Sequence, residues 1–130
     1  MSLRRLWVLF ILVLALGMVG CRTAPVFNVT DAPTMVTGKN VRLGDIEKAI
    51  MRAGGTLGWR MKKVKPGHII GTLYIRKHMA KVDIKYSTKA YSITYRDSEN
   101  LKYDGSSIHS NYNGWVQNLD RAIRRELADL

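Results

Sequence analysis

The chain has 130 residues, which suffices for one domain of ordinary size and excludes a two-domain enzyme. Its 46% hydrophobic and 24% charged residues are typical of a packed domain and exclude a disordered or collagenous chain. A formal net charge of +11 indicates an anionic partner, and the single cysteine excludes an intramolecular disulfide.

Residues 1–20 have the layout of a signal peptide. Arg4 and Arg5 precede an unbroken apolar run from Leu6 to Val19. As a helix this run would rise only about 21 Å, short of the roughly 30 Å hydrocarbon core, so an uncleaved transmembrane anchor is the weaker interpretation. Loss of both arginines with the signal peptide lowers the net charge from +11 to +9, so the positive excess belongs to the mature protein.

The only cysteine follows this apolar run directly. Met18-Val19-Gly20-Cys21 resembles the lipobox of bacterial lipoproteins, with Met18 in the place of the usual leucine. The resemblance implies that Cys21 is acylated and becomes the new N-terminus, anchored by two or three acyl chains. A buried thiol or a catalytic nucleophile is the poorer interpretation at this position. By resemblance to enterobacterial lipoproteins, Arg22 rather than aspartate after the cysteine implies the outer membrane, with the domain facing the periplasm.

Residues 21–40 are predicted to be the lipidated cysteine and a flexible tether. They contain Pro25, Pro33 and several threonines, and neither a helical nor a strand period persists among them. A flexible chain of this length would span about 25 Å on average, enough to hold a domain clear of the lipid headgroups. Residues 26–29 could add an edge strand.

Residues 41–130 are predicted to form a single domain that begins with an amphipathic helix. Apolar residues recur at three-and-four spacing from Leu43 to Ala53, and Gly54 with Gly55 is expected to end the helix. Alternation with period two then predicts two hairpin strands around the turn at residues 65–67, a third strand over residues 80–86, and a fourth through Tyr91, Ile93 and Tyr95.

A long last helix is predicted after a loop over residues 97–105. Ser106 or Ser107 is expected to cap it, and its apolar stripe contains Ile108, Tyr112, Trp115, Val116, Leu119, Ile123 and Leu127. Short turns between consecutive strands predict an antiparallel meander, and one-faced alternation requires cover on one side only. We therefore expect an α+β fold of order α-β-β-β-β-α, with both helices on one face of a four-stranded antiparallel meander sheet.

Residues that could carry chemistry are sparse. His68, His78 and His109 show no pair at metal-ligand spacing, and the motifs of serine hydrolases, phosphate-binding loops and zinc proteases are absent from the sequence. Spacing alone pairs none of the carboxylates, and Asp97 and Asp104 are expected to bond backbone amides in turns. We therefore expect no enzymatic activity, no metal and no cofactor.

The outward face of the predicted sheet is mostly basic. Alternation places six candidate anion-binding residues there: Arg60, Lys62, Arg76, Lys81, Lys85 and Arg96. The expected partner is a phosphorylated lipid headgroup, lipopolysaccharide, an acidic cell-wall polymer or an acidic protein. The commoner alternative is an ordinary solvated sheet face in which Asp83 limits repulsion among the lysines. Basic residues beside an aromatic are also typical of single-strand nucleic-acid binders, but export argues against that partner.

A second candidate site is an aromatic groove between the last helix and the sheet. Its residues would be Tyr91, Tyr95, Tyr103, Tyr112 and Trp115. Such side chains are more often core residues whose hydroxyl groups find partners at the edge.

Two segments, residues 91–103 and 108–119, look like the signature of a group of small proteobacterial lipoproteins, and the resemblance covers residues 41–127. It implies an envelope location but no particular activity. The polar residues Asp97, Asn100, Asn111 and Asn113 of these segments would pin the loop against the helix. The expected function is that of a lipid-anchored envelope protein that binds an anionic component, and the alternative is a structural or assembly module with no ligand of its own.

Overall fold

Residues 22–130 are described by a computed structural model, and the predicted signal peptide and Cys21 lie outside these residues. The helices are α1 (Leu43–Thr56) and α2 (Ser110–Ala128). The strands are β1 (Thr23–Pro25), β2 (Val29–Pro33), β3 (Arg60–Lys65), β4 (His68–Ile75), β5 (His78–Tyr86), β6 (Ala90–Glu99) and β7 (Ser107–His109).

Five strands form the main sheet in the order β2-β6-β5-β4-β3, and β1 pairs with β7 in a second, two-stranded sheet. Every pair is antiparallel. The predicted α+β class is confirmed, and β3 to β6 are the predicted meander. The predicted number of four strands is wrong, because β2 adds a fifth strand beside β6. The predicted element order is wrong for the same reason and because β1 and β7 are also present.

The N-terminal segment belongs to the domain and is not the flexible tether that the sequence predicted. Val29 lies opposite Ile93 and Ala32 opposite Tyr91, with both N-terminal side chains buried. Asn113 of α2 accepts a hydrogen bond from the Phe27 amide at 2.9 Å. Proline is tolerated at sheet edges because it needs no ladder donor there, so prolines at the ends of β1 and β2 mark edge strands and not a linker.

The start of α2 also differs from the prediction. The helix begins at Ser110, and its N-cap is His109, whose Nδ1 accepts a hydrogen bond from the Asn111 amide at 3.1 Å. Ser106 and Ser107, the predicted caps, instead donate their amides to Asp104 Oδ1 at 3.0 and 2.8 Å. The expectation that Asp104 bonds backbone amides in a turn is confirmed, and these bonds lower the pKa of its carboxyl.

Both helices pack on the same face of the main sheet, here called the inner face. The Tyr86 hydroxyl donates to Glu47 Oε2 of α1 at 3.1 Å, and the neighbouring Tyr91 hydroxyl donates to Asp120 Oδ1 of α2 at 2.5 Å. Predicted inward residues of three strands are buried here, including Ile69, Leu73, Val82, Ile84 and Ile93, together with Trp59 just before β3. The amphipathic alternation therefore determines which face the helices cover.

A buried polar group joins α2 to the sheet. Asp120 is only 8% exposed, and its two carboxylate oxygens accept from Tyr91 and from Arg124, whose Nη2 lies 3.1 Å from Oδ2. Burial, and after it the hydrogen bond to Asp120, raises the pKa of Tyr91. Because a buried carboxylate is costly without partners, this arrangement fixes the seating of α2 on the sheet.

We expect Tyr91→Phe to lower the free energy of unfolding by about 1 to 3 kcal/mol, because it leaves Asp120 Oδ1 buried without a donor. The matched control is Tyr103→Phe, whose hydroxyl is exposed and donates to the Gly105 carbonyl at 3.3 Å. It should change the unfolding free energy by less than about 0.5 kcal/mol. Urea denaturation measures both, and equal effects would contradict the role of Asp120.

Alkaline pH should weaken the fold through its buried tyrosines. Burial, and then the hydrogen bond to Glu47, raises the pKa of Tyr86 from 10.0 to about 12. Because the folded-state pKa lies above the unfolded value, this stabilisation is present below about pH 10 and is lost as pH rises toward 12. In urea denaturation across this range, Tyr86→Phe should lose stability less steeply than the parent. The exposed control Tyr74→Phe should follow the parent curve.

Candidate functional site

The face of the main sheet opposite the helices, here called the outer face, carries five of the six predicted anion-binding residues. Arg60 and Lys62 come from β3, where they lie opposite Thr72 and Ile70 of β4. Lys81 and Lys85 come from β5, opposite Thr72 and His68. Arg96 of β6 reaches the same face at a bulge, because Val82 pairs with Tyr95 while Lys81 pairs with Asp97.

Arg76, the sixth predicted residue, does not belong to this face. β4 ends at Ile75, which pairs with His78, and Arg76 and Lys77 form the two-residue turn between β4 and β5. The φ of Arg76 is 54°, the left-handed conformation that tight hairpin turns demand. The prediction for Arg76 was wrong because the alternation of inward and outward side chains holds only within a strand, and β4 ends one residue before it.

A carboxylate lies in the middle of the outer face. Asp83 Oδ1 is 2.9 Å from Arg96 Nη1 and 2.7 Å from His68 Nε2. The Asp83 side chain is 18% exposed and that of His68 is 14% exposed, so both groups are largely shielded from water. Asp83 thus holds Arg96 along the face and partly neutralises it.

The sequence did not predict the contact between His68 and Asp83, because it depends on strand register. A two-residue turn at Arg76 and Lys77 places Ile70 opposite Asp83, which makes His68 the diagonal neighbour of that carboxylate. The length of the β4–β5 turn was a usable signal, because a two-residue turn between two strands determines which residues of those strands lie opposite each other.

The remaining cations of the outer face differ in the contacts that their charged groups make. The Arg60 guanidinium carbon lies 5.2 Å from the centroid of the Tyr74 ring, a cation–π contact. Within residues 22–130, no carboxylate lies within ion-pair distance of Lys62, Lys81 or Lys85. These three lysines therefore present their charge to solvent or to a ligand.

An open depression of about 440 Å³ continues this surface at the end of β6. The rings of Tyr95 and Tyr103 stack beside it with their centroids 3.9 Å apart. Arg96 lines the depression and also bonds Asp83, so the depression and the outer face form one continuous surface. The other lining residues are Asp97, Ser98, Asn100, Leu101 and Lys102.

Three of the five residues of the predicted aromatic groove come together, because the Tyr95 ring stacks on Tyr103 and meets Tyr112 edge-on with the centroids 5.7 Å apart. Tyr91 and Tyr112 are core residues, and within residues 22–130 the Tyr112 hydroxyl has no hydrogen-bond partner. Burial raises the pKa of Tyr112. Only Tyr95 and Tyr103 line the depression described above. Trp115 lies apart, with its ring 6.2 Å from that of His78.

The polar residues predicted to pin the loop after β6 against α2 do not do so: Asn100 holds the loop to the β4–β5 turn, and the loop meets the start of α2 through the Leu101 carbonyl, which accepts from the amide of the N-cap His109 at 2.8 Å. The Asn100 side chain donates to the Lys77 carbonyl at 2.6 Å, and His78 Nδ1 lies 2.8 Å from the Asn100 carbonyl. Asn113, predicted to hold this loop, instead donates to the Pro25 carbonyl at 2.9 Å. The prediction was wrong because both bonds join residues that are distant in the sequence.

The chain matches no protein-family model, no curated protein and no solved structure. None of the helices within residues 22–130 has the length and apolar character needed to cross a membrane. Among the same residues, no three side chains of the histidine, cysteine, aspartate or glutamate types converge as metal ligands.

We expect Asp83→Asn to lower the free energy of unfolding by about 1 to 2 kcal/mol, because His68 and Arg96 lose a charged acceptor that is shielded from water. The matched control is Asp97→Asn, since Asp97 is exposed and accepts from the amide of the next residue, Ser98, at 2.8 Å. Its effect should stay within about 0.5 kcal/mol. Thermal or urea unfolding of both variants measures the difference, and no difference would show that Asp83 does not organise the face.

Proposed function

We propose that this protein is a lipid-anchored bacterial envelope protein whose outer face binds a polyanionic component of the envelope. The observation that supports this function best is the convergence of five cationic side chains from three strands on one face. Asp83, Asp97 and Glu99 share this face by register, and Asp31 adjoins it beside Ser92. Three of the cations, Lys62, Lys81 and Lys85, have no ion-pair partner among the described residues.

The spacing of these cations suits a ligand with repeated negative groups. Neighbouring strands lie about 4.8 Å apart, so Lys62 on β3 and Lys81 on β5 are separated by about 10 Å or more across the sheet. Each exposed cation contributes little by itself, but several acting together on phosphate or carboxylate groups give appreciable attraction at low salt. Lipopolysaccharide and acidic cell-wall polymers carry such groups.

Sequence features support the envelope location. The run that precedes Cys21 resembles a lipoprotein signal peptide, and two segments of the domain resemble those of small proteobacterial lipoproteins. We propose that Cys21 carries acyl chains and that the domain faces the periplasm from the outer membrane. Acyl chains hold a protein at the membrane independently of its surface charge, so the basic face would be available for a second partner.

The test uses the processed, acylated protein in phosphatidylcholine vesicles, with purified lipopolysaccharide as the probe. We expect binding that weakens at least tenfold between about 20 and about 300 mM salt, because the attraction is electrostatic. The double variant Lys62→Glu and Lys81→Glu should bind at least tenfold more weakly at low salt. The control Lys39→Glu and Lys89→Glu has the same net charge, but its changes lie in loops outside the outer face. Equal losses in the two variants would contradict a site on this face.

A second candidate function is an assembly module that binds an envelope protein through the same face. Tyr74 is 59% exposed there, and Ile70, two outward positions earlier on β4, is half-buried, so the face offers apolar area between the cations. Such a partner would stay bound at about 300 mM salt and be lost with Tyr74→Ala. A polyanion would show the opposite pattern.

A further inference from the structure

We propose that one end of the domain stands directly on the lipid headgroups, with Arg22, Arg76 and Lys77 against lipid phosphates. This inference rests on the proposed acylation of Cys21 and adds the orientation of the domain. The end concerned, here called the anchor end, consists of the start of β1, the β4–β5 turn, the α1–β3 turn and the loop after β6.

The backbone is fixed from the first residue after the proposed anchor. The Arg22 carbonyl accepts a hydrogen bond from the Ser110 amide at 3.0 Å, and Thr23 pairs with His109 in the β1–β7 sheet. Consecutive Cα atoms are about 3.8 Å apart, so acyl chains on Cys21 would be attached within a few ångströms of Arg22. Arg22, which follows Cys21 directly in the sequence, is already bonded to the folded domain.

Hydrogen bonds and ring contacts place the β4–β5 turn beside this attachment point. The His78 and His109 rings lie 6.4 Å apart, and His109 is the strand partner of Thr23. The Lys77 carbonyl accepts from Asn100 at 2.6 Å, and the Leu101 carbonyl accepts from the His109 amide at 2.8 Å. The exposed side chains of Arg76 and Lys77 therefore lie at the same end as exposed Arg22.

The chemistry of the anchor end suits a membrane interface. Exposed arginine and lysine side chains are attracted to anionic headgroups. Leu57 is 38% exposed and Trp115 is half-buried, and both line a small depression that also includes Ile75, next to the turn. Glu99 also lies at this end, opposite Met79 of β5. The Asp104 carboxylate in the neighbouring loop is occupied by the amides of its own turn.

This orientation restricts what the outer face can bind. β4 has 8 residues, so at about 3.3 Å per residue it carries the β3–β4 turn about 25 Å from the headgroups. Lys62 and Lys85 lie toward that distal end, because they pair with Ile70 and His68 near the start of β4. They would be out of reach of the bilayer that holds the anchor, so the outer face would bind a polymer or a second surface.

The experiment places one spin label at each end of the sheet in the processed, acylated protein. Cys21 is the only cysteine, so Lys77→Cys and the matched control Lys65→Cys each introduce a unique thiol once Cys21 is acylated. The protein is reconstituted in vesicles of phosphatidylglycerol and phosphatidylcholine. Electron paramagnetic resonance then compares collisions with dissolved oxygen and with a water-soluble nickel chelate.

We expect the label at position 77 to be at least threefold less accessible to the nickel chelate than the label at position 65, which should behave as in water. In the Lys77→Cys background, Arg76→Glu should at least halve this difference, whereas Lys62→Glu on the outer face should leave it unchanged. Equal accessibility at the two positions, or a shielded position 65, would overturn the orientation.

Mass spectrometry of the N-terminal peptide separates the two proposals. An unacylated Cys21 would contradict the anchoring on which both depend. An acylated protein with equal label accessibility would contradict only the orientation and would leave the function proposed for the outer face intact.

Discussion

Pairing of the N-terminal strands with strands from the second half of the chain is the constraint on which the rest of this structure depends. β2 covers the edge of β6, where Val29 and Ala32 are buried opposite Ile93 and Tyr91. β1 pairs with β7 just before α2 begins. The Asn113 side chain holds the connection between β1 and β2 by two hydrogen bonds: it donates to the Pro25 carbonyl and accepts from the Phe27 amide. Residues 22–33 therefore stabilise the domain and determine where any group attached to Cys21 would leave it.

Burial of one face of the sheet explains the character of the other. The helices remove the inner face from water, and two buried tyrosines bond a carboxylate from each helix. Alternation then places Arg60, Lys62, Lys81 and Lys85 on the outer face, and a bulge in β6 adds Arg96. These like charges would repel without a carboxylate among them. Asp83 supplies that carboxylate by bonding His68 and Arg96. The lysines around it keep their charge available, and this availability supports the proposal of a polyanionic ligand.

The two proposals assign different tasks to two surfaces of one domain. In these proposals the anchor end would hold Arg22, Arg76 and Lys77 close to the acyl chains, and the outer face would extend away from the membrane along β4. A polymer or opposing surface rich in phosphate or carboxylate could then be held about 25 Å above the bilayer, at the height of the β3–β4 turn. Both surfaces are positively charged, and in these proposals each faces anions: lipid phosphates at the anchor end and a polyanionic ligand at the outer face.

Much of this fold could be predicted from local patterns. Periods of three-and-four and of two are properties of a single element, and they predicted α1, α2, the meander of β3 to β6, its buried face and five of its outward cations.

Three features depend on partners that are distant in the sequence. β1 and β2 carry too few residues to show a period, and their prolines are typical of edge strands as much as of linkers. The five residues of the predicted aromatic groove have different surroundings because each ring contacts a different part of the fold. Tyr91 bonds Asp120, whereas Tyr95 stacks on Tyr103. Arg76 left the predicted face because a two-residue turn ends the strand before it, and that same turn set the register that joins His68 to Asp83. For the two helices and the meander of β3 to β6, local periodicity by itself thus determined which face is inside and which is outside. Tertiary structure decided which of the outside residues meet, because pairing register and edge contacts join segments that no local pattern relates.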